Sequence, residues 1–216
     1  MIEAVIFDCD GVLVDSERIN NEVLAELVTC AGLPTTYQDC IARYMGRSTA
    51  ECVAEVERAL GYAVSFDLAS EYERRVLLRQ QDELEPVPGV RELLDHLHEA
   101  AMPVCVASSG TPGEIKARLD ATGLAGYFDN RCFSATMVDH GKPAPDLFLL
   151  AARRLGVPPA RCLVIEDSPY GVKGAKAAGM TVLGYASLAA DEALMAAGAE
   201  RVIHSMADVV TLTDHF

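Results

Sequence analysis

The sequence predicts an α/β protein: a Rossmann-like parallel sheet core carrying an inserted α-helical unit. Three observations predict it. The apolar burst Ala4-Val5-Ile6-Phe7 reads as a strand buried on both faces. From Asp15 to about Gln81 the pattern turns helical, with no convincing strand. From Pro88 onward strands and helices alternate, which implies parallel strands joined by right-handed crossovers.

The elements follow in order. The first strand stops at Asp8-Cys9-Asp10-Gly11. Glu22 to Cys30 places Val23, Leu24, Leu27 and Val28 on one helical stripe. Further helices run from Thr49 to Leu60, closing at Gly61, and from Leu68 to Leu78. Val90 to Ala100 is helical, and Pro103 to Ala107 is a strand. Thr111-Pro112-Gly113-Glu114 is a helix start: Thr caps, Pro takes the first helical position and Glu closes a capping box. That helix ends near Gly123. A short strand spans Arg131 to Phe133, and a helix runs from Pro145 to just before Gly156. Cys162 to Ile165 is a strand, and Ser168-Pro169 opens a helix that ends near Gly179. Thr181 to Leu183 and Arg201 to Ile203 complete the strands. The expected domains are a catalytic core of residues 1–14 and 83–216 and a helical cap of residues 15–82. The cap is rooted just after Asp8 and Asp10, where an inserted element is placed to act as a lid.

A chain of 216 residues, 50% of them hydrophobic, can bury a sizeable core. Eighteen basic residues against 32 acidic ones give a formal charge of -14, which argues against nucleic acid or an anionic membrane as partner. The same charge opposes a phosphate ligand, unless a bound divalent cation dominates the local field. The seven cysteines form no CxxC pair, so a zinc site or disulfide framework is disfavoured. They are expected to be small buried hydrophobes in a reducing cytoplasm. No apolar run reaches the roughly 18 residues of a membrane span, and no leader precedes the first strand. A soluble, cytoplasmic protein follows, and core plus cap suffice for a monomer.

Four polar groups fall at or beyond the carboxyl ends of expected strands, or in the loops there: Asp8 with Asp10, Ser108 with Ser109, Lys142, and Glu166 with Asp167. Ligands of open α/β sheets bind at that edge. Asp8 and Asp10 would share one face if the chain stayed extended. With Glu166 and Asp167 beside them, four carboxylates converge, and such an oxygen-rich, thiol-free set suits Mg²⁺. A phosphate ester on that metal is open to in-line attack by Asp8, giving an aspartyl phosphate. Asp10 can protonate the leaving oxygen and then activate water. Lys142 offsets charge on the transferring group. Ser108 and the backbone N–H groups of Ser109 and Gly110 would hold non-bridging oxygens.

These residues resemble the haloacid dehalogenase-like hydrolase superfamily. FDCDGVLVDSE at Phe7 to Glu17 is similar to its first motif, VASSG at Val106 to Gly110 to its second, and GKPAPDLF at Gly141 to Phe148 to its third. VIEDSPYGVKGAKAAGM at Val164 to Met180 is similar to its fourth. The insertion between motifs one and two resembles the small α-helical cap of the β-phosphoglucomutase and sugar-phosphate phosphatase subgroup. The resemblance implies Asp8 as nucleophile, Asp10 as acid/base with its backbone carbonyl on the metal, Glu166 and Asp167 as metal-site carboxylates, and Ser108 with Lys142 as the phosphate-orienting pair. It also implies a cis bond at Lys142-Pro143. Asp10 disfavours dehalogenation, because true dehalogenases lack the second aspartate.

The resemblance leaves a choice between a phosphatase and a phosphosugar mutase. Mutases of the subgroup carry a histidine where Asn20 stands. Their cap arginine falls at Thr49, with Arg47 close by, and a cap lysine expected near Ser70 is missing, with Arg74 and Arg75 nearby. These departures favour a Mg²⁺-dependent phosphatase for small phosphate monoesters, sugar or polyol phosphates among them. A catalytically silent binding protein is disfavoured by four intact motifs. Glu17, Asn20, Arg47 and Ser48 are the candidate cap-side substrate contacts.

Overall fold

The computed structural model describes residues 1–44 and 49–213. The chain forms two compact units, Met1–Asp15 with Glu85–Phe216, and Ser16–Leu84. The elements, in chain order, are β1 (Ala4–Phe7), α1 (Ser16–Cys30), α2 (Tyr37–Tyr44), α3 (Thr49–Leu60), α4 (Leu68–Glu83), α5 (Val90–Glu99), β2 (Val104–Ser108), α6 (Pro112–Ala121), α7 (Ala125–Phe128), β3 (Cys132–Ser134), α8 (Asp146–Leu155), β4 (Cys162–Glu166), α9 (Pro169–Ala177), β5 (Thr181–Tyr185), α10 (Asp191–Ala197), β6 (Arg201–Ile203) and α11 (Met206–Thr213).

Among the described residues one sheet forms, of six parallel strands in the order β3-β2-β1-β4-β5-β6. The order reverses beside β1, which is the switch point where open α/β sheets bind ligands. Every residue of β1, β2 and β4 is buried, which explains the continuous apolar runs. Alternate residues face one core: Ala4 and Ile6, Cys105 and Ala107, Cys162 and Val164 pack with Leu147, Phe148 and Ala151 of α8 and Val172 and Ala175 of α9. On β1, Phe7 meets Phe128 of α7 edge to face, with centroids 6.2 Å apart. Such a pair adds about 1 kcal/mol beyond its buried area.

Helix starts follow local chemistry. Thr111 and Glu114 form the capping box of α6, with Pro112 in its first turn. Ser168 caps α9 by accepting the Gly171 N–H at 3.0 Å, and Pro169 follows it. Val90, Leu93, Leu94 and Leu97 form the buried stripe of α5. The chain leaves this unit and returns to it side by side: the Asp15 N–H donates to the Glu85 carbonyl and the Val87 N–H to the Leu13 carbonyl.

In the helical unit, α1 begins at Ser16 and so is longer than its apolar stripe suggested, while α4 runs on to Glu83. Arg79 of α4 donates to Glu22 and Glu26 of α1 and to Glu83 of its own helix. Such part-exposed pairs contribute little individually, but one guanidinium serving three carboxylates ties α4 to α1.

The structure corrects several expectations. Helices α2, α7, α10 and α11 lay outside the sequence reading. The third strand lies one residue later than Arg131 to Phe133, at Cys132–Ser134. All seven cysteines are free, yet Cys30 is exposed and Cys132 half-buried, so the thiols are not uniformly core. Arg47 and Ser48 lie outside the described residues. No helix among the described residues is long and apolar enough to cross a membrane.

Candidate active site

The sheet brings three motifs to one point. Phe7 pairs with Ile165 on one side and with Val106 on the other. Asp8 is therefore the first residue beyond β1, flanked by the ends of β2 and β4. Its N–H donates to the Ile165 carbonyl at 3.0 Å, which holds it in line with the strand. Ser108 ends β2 and Glu166 ends β4; they are 1% and 0% exposed, depths at which a polar group needs partners.

Lys142 supplies one for Glu166. Its Nζ donates to Asp8 Oδ1 at 2.5 Å and to Glu166 Oε1, and sits 5.4 Å from the centre of the Phe148 ring. The Lys142-Pro143 bond is cis. The other Glu166 oxygen accepts from the N–H and hydroxyl of Ser168. Gly171, in the first turn of α9, has no side chain where this carboxylate lies: a Cβ there would fall 1.9 Å from Glu166 Cδ. Gly11, at φ +76°, does the same for Asp167, since its Cβ would meet Asp167 Oδ2 at 2.0 Å. That Asp167 oxygen also accepts from the Ser187 hydroxyl at 2.9 Å. Neither glycine tolerates a side chain without moving a carboxylate.

Burial pushes the Asp8 carboxyl up to about 7; Lys142 opposes this, and Glu166 and Asp10 add to it. Burial alone would depress the Lys142 ammonium, but the charges of Asp8 and Glu166 outweigh it and the net shift is upward. Lys142 is thus a fixed cation.

Asp8, Glu166 and Asp167 each offer an oxygen, all within 4.8 Å of one another. The carboxylate of Asp10 does not join them. The strand ends at Phe7, and the turn closed by the Leu13 and Val14 N–H groups on the Cys9 carbonyl redirects Asp10. Its Oδ2 accepts instead from Arg118 Nη1 of α6 at 3.0 Å. Three carboxylates therefore converge where the sequence suggested four, and the shared-face argument for Asp8 and Asp10 fails because the chain does not stay extended. The donor set still fits a hard divalent cation. The carboxyl groups of Asp8, Asp10, Glu166 and Asp167 outnumber the one ammonium and one guanidinium that pair with them, a surplus that favours a bound cation.

Ser108 and Gly110 differ from expectation in one respect. The Gly110 N–H donates to Ser108 Oγ at 3.1 Å, so this amide is engaged within its own loop. The Ser108 hydroxyl keeps its own proton for donation. The Gly110 carbonyl accepts from Ser134 Oγ at 2.6 Å, and Ser109 is exposed. In the helical unit, the Asn20 amide donates to Glu17 Oε1 and accepts from Gln80, both at 3.3 Å. Arg118, Ser187 and Gln80 carry no motif signal of their own and were missed in the sequence.

A family model described as haloacid dehalogenase-like hydrolase matches residues 2–179. A phosphorylated carbohydrates phosphatase from Thermotoga maritima is 35% identical over 208 residues, 94% of either chain. The chain is 34% identical over 203 residues, 91% of its length, to the chloroplastic Protein SUPPRESSOR OF QUENCHING 1 of Arabidopsis thaliana, and spans only 19% of that longer protein. A solved HAD family hydrolase from Deinococcus radiodurans R1, with bound phosphate and sodium, matches with a TM-score of 0.91 and 30% identity over 99% of this chain and 96% of its own. The chain belongs to the haloacid dehalogenase-like hydrolase family.

Proposed function

We propose that this phosphoric monoester hydrolase acts on small sugar or polyol phosphates through a covalent phosphate on Asp8, with Mg²⁺ as cofactor. The observation that carries the reading is Lys142 Nζ bridging Asp8 and Glu166, with Asp167 alongside, at the switch point of the sheet. Asp8, Glu166 and Asp167 would hold the ion, joined by the backbone carbonyl of Asp10. When bound, Mg²⁺ supplies Lewis-acid polarisation of the phosphoryl oxygens and shields the phosphorus from the anionic nucleophile.

The chain's own residues do the rest. An Asp8 oxygen attacks phosphorus in line. The bond to the ester oxygen breaks with its electron pair, and that oxygen takes a proton from Asp10. Water then attacks the aspartyl phosphate, its proton passes to Asp10, and the acyl P–O bond breaks to restore the Asp8 carboxylate and release inorganic phosphate. Lys142 orients Asp8 and offsets charge on the group in transit. Ser108 donates to a non-bridging oxygen, with the backbone of Ser109 and Gly110 beside it.

Hydrolysis rather than mutase chemistry is supported by Asn20, whose amide is held between Glu17 and Gln80 and cannot exchange protons as an imidazole would. Glu17 and Asn20 remain candidate substrate contacts. Free thiols throughout support a reducing cytoplasm as the compartment, and we take the acting species to be a monomer.

The experiment is a phosphate-release screen over sugar phosphates, polyol phosphates, phosphoglycolate and nucleotides with Mg²⁺, using wild type and Asp8→Asn. Release by wild type and none by the variant is expected. Near-wild-type turnover by Asp8→Asn would remove Asp8 from its role. Interconversion of hexose 1- and 6-phosphates primed by a bisphosphate, without release of phosphate, would replace the phosphatase by a mutase.

A further inference from the structure

The site contains a cation that the four motifs do not account for. Arg118 lies in the last turn of α6, its side chain 16% exposed, with Nη1 on Asp10 Oδ2 at 3.0 Å. Glu114, one turn earlier, also acts on Arg118 electrostatically, but its Oε2 accepts from the N–H and the hydroxyl of Thr111 in the capping box, and the ion pair the guanidinium makes is with Asp10. Space for the guanidinium depends on Gly110, where a Cβ would stand 3.1 Å from Arg118 Nη1. The Arg118 Nε is buried without a hydrogen-bond partner among the described residues. A desolvated, unsatisfied donor costs about 1–3 kcal/mol, which offsets part of what the ion pair with Asp10 contributes to stability.

We propose that Arg118 is the positioning residue of the acid/base: it acts through Asp10, fixing the orientation of that carboxyl for both proton transfers. The inference rests on the acid/base reading of Asp10 given above. A guanidinium has donors only, so the Asp10 oxygen it holds must remain an acceptor. The transferable proton therefore resides on Oδ1. In the first step the Oδ1–H bond breaks, its proton goes to the ester oxygen and the pair stays on the carboxylate. In the second step Oδ1 takes the proton of the attacking water. Arg118 stays protonated and holds Oδ2 throughout, which gives Asp10 one orientation in both half-reactions. Misplacing a catalytic group by about 1 Å costs on the order of 100-fold, so an orientation lock on this carboxyl has a kinetic consequence.

Leaving-group dependence tests it. p-Nitrophenolate departs without a proton, whereas an alkoxide such as that of glycerol 1-phosphate needs one. The parameter kcat/KM reports steps up to phosphoryl transfer and so separates the two esters. Arg118→Gln and Arg118→Lys are assayed on both with Mg²⁺, alongside thermal melts. In Arg118→Gln the alkyl ester should lose at least ~10-fold more kcat/KM than the aryl ester, within the range that general acid catalysis supplies. Arg118→Lys should recover part of that difference. In an Asp10→Asn background, Arg118→Gln should add no further discrimination, because the two act as one unit. An equal fall on both esters, a rise in KM with kcat kept, or full additivity with Asp10→Asn would overturn the role. Wild type inactive on both esters would instead overturn the phosphatase reading, and this inference with it.

Discussion

Replacing Gly171 by alanine sets two effects of opposite sign against each other, and the structure decides between them. Gly171 lies in the first turn of α9, where alanine favours the helix by about 0.5–1 kcal/mol. Its Cβ, however, would stand 1.9 Å from Glu166 Cδ and 2.0 and 2.1 Å from the two carboxylate oxygens. A glutamate end normally swings aside at little cost. This one is 0% exposed and holds Lys142 with one oxygen and Ser168 with the other. Overpacking a filled site costs about 1–3 kcal/mol, and breaking a buried ion pair about 3–5 kcal/mol. With partial relaxation the net is about 3 kcal/mol of destabilisation, or roughly 6–12 °C in Tm for a chain of this size. Circular dichroism is the melting probe, since the protein has no Trp. Phosphate release should fall on the order of 100-fold as Lys142 loses an anchor beside Asp8. Gly113→Ala in α6 is the control, because its Cβ meets nothing within 4 Å, and it should leave Tm unchanged or slightly raised. Gly171→Ala melting at or above wild type with full activity would refute the account of how Glu166 is seated.

Three further outcomes are expected. Chelation with EDTA should stop phosphate release and Mg²⁺ should restore it, while Mg²⁺ at about 100 times its Kd should raise stability by ~2.7 kcal/mol; activity after exhaustive chelation would count against the cofactor. Ser187→Ala removes the hydroxyl that orients Asp167, so calorimetric titration with Mg²⁺ alone should show affinity weakened about 10–100-fold; unchanged affinity would exclude Asp167 as a ligand held this way. Thr111→Ala removes the side-chain half of the α6 capping box and should cost about 1 kcal/mol, read as a drop of roughly 2–4 °C in Tm; no shift would show that the helix start is held by other contacts.

The sheet was legible because its strands are buried on both faces and show as unbroken apolar runs, Ala4 to Phe7 and Cys162 to Ile165 above all. What stayed hidden had weak contrast. In α2 the stripe Tyr37, Cys40, Ile41 and Tyr44 spans only eight residues, so it was passed over although its spacing is helical and Thr36 and Asp39 exchange hydrogen bonds as a readable cap. In α10 a single residue, Leu194, is buried in an alanine-rich segment. The missed start of α1 at Ser16 has another cause: Glu17, Arg18 and Asn20 interrupt the apolar pattern there, and buried Ile19 alone does not restore it.

The motif residues of the candidate site stood out in the sequence, but Arg118, Ser187 and Gln80 did not, nor did the pairing of Asp10, which shows why. Spacing of two puts side chains on one face only while the backbone remains extended, and β1 ends before Asp8. Where the carboxylate went depended on α6, which starts at the carboxyl edge of β2. Helical side chains lean toward the helix N-terminus, so a long residue on the flank of that helix reaches back to the edge. Ile115 and Leu119 mark its buried stripe, and Arg118 lies three residues from Ile115, beside the stripe rather than opposite it. At about 1.5 Å per residue it stands about 9 Å along the axis from Pro112, a distance an arginine leaning N-terminally largely recovers. A cation on the flank of the helix after a strand-end serine is thus a signal readable from sequence alone. It calls for the Arg118 variants, because Arg118 lies outside the motifs while the carboxylate it holds lies within the first of them.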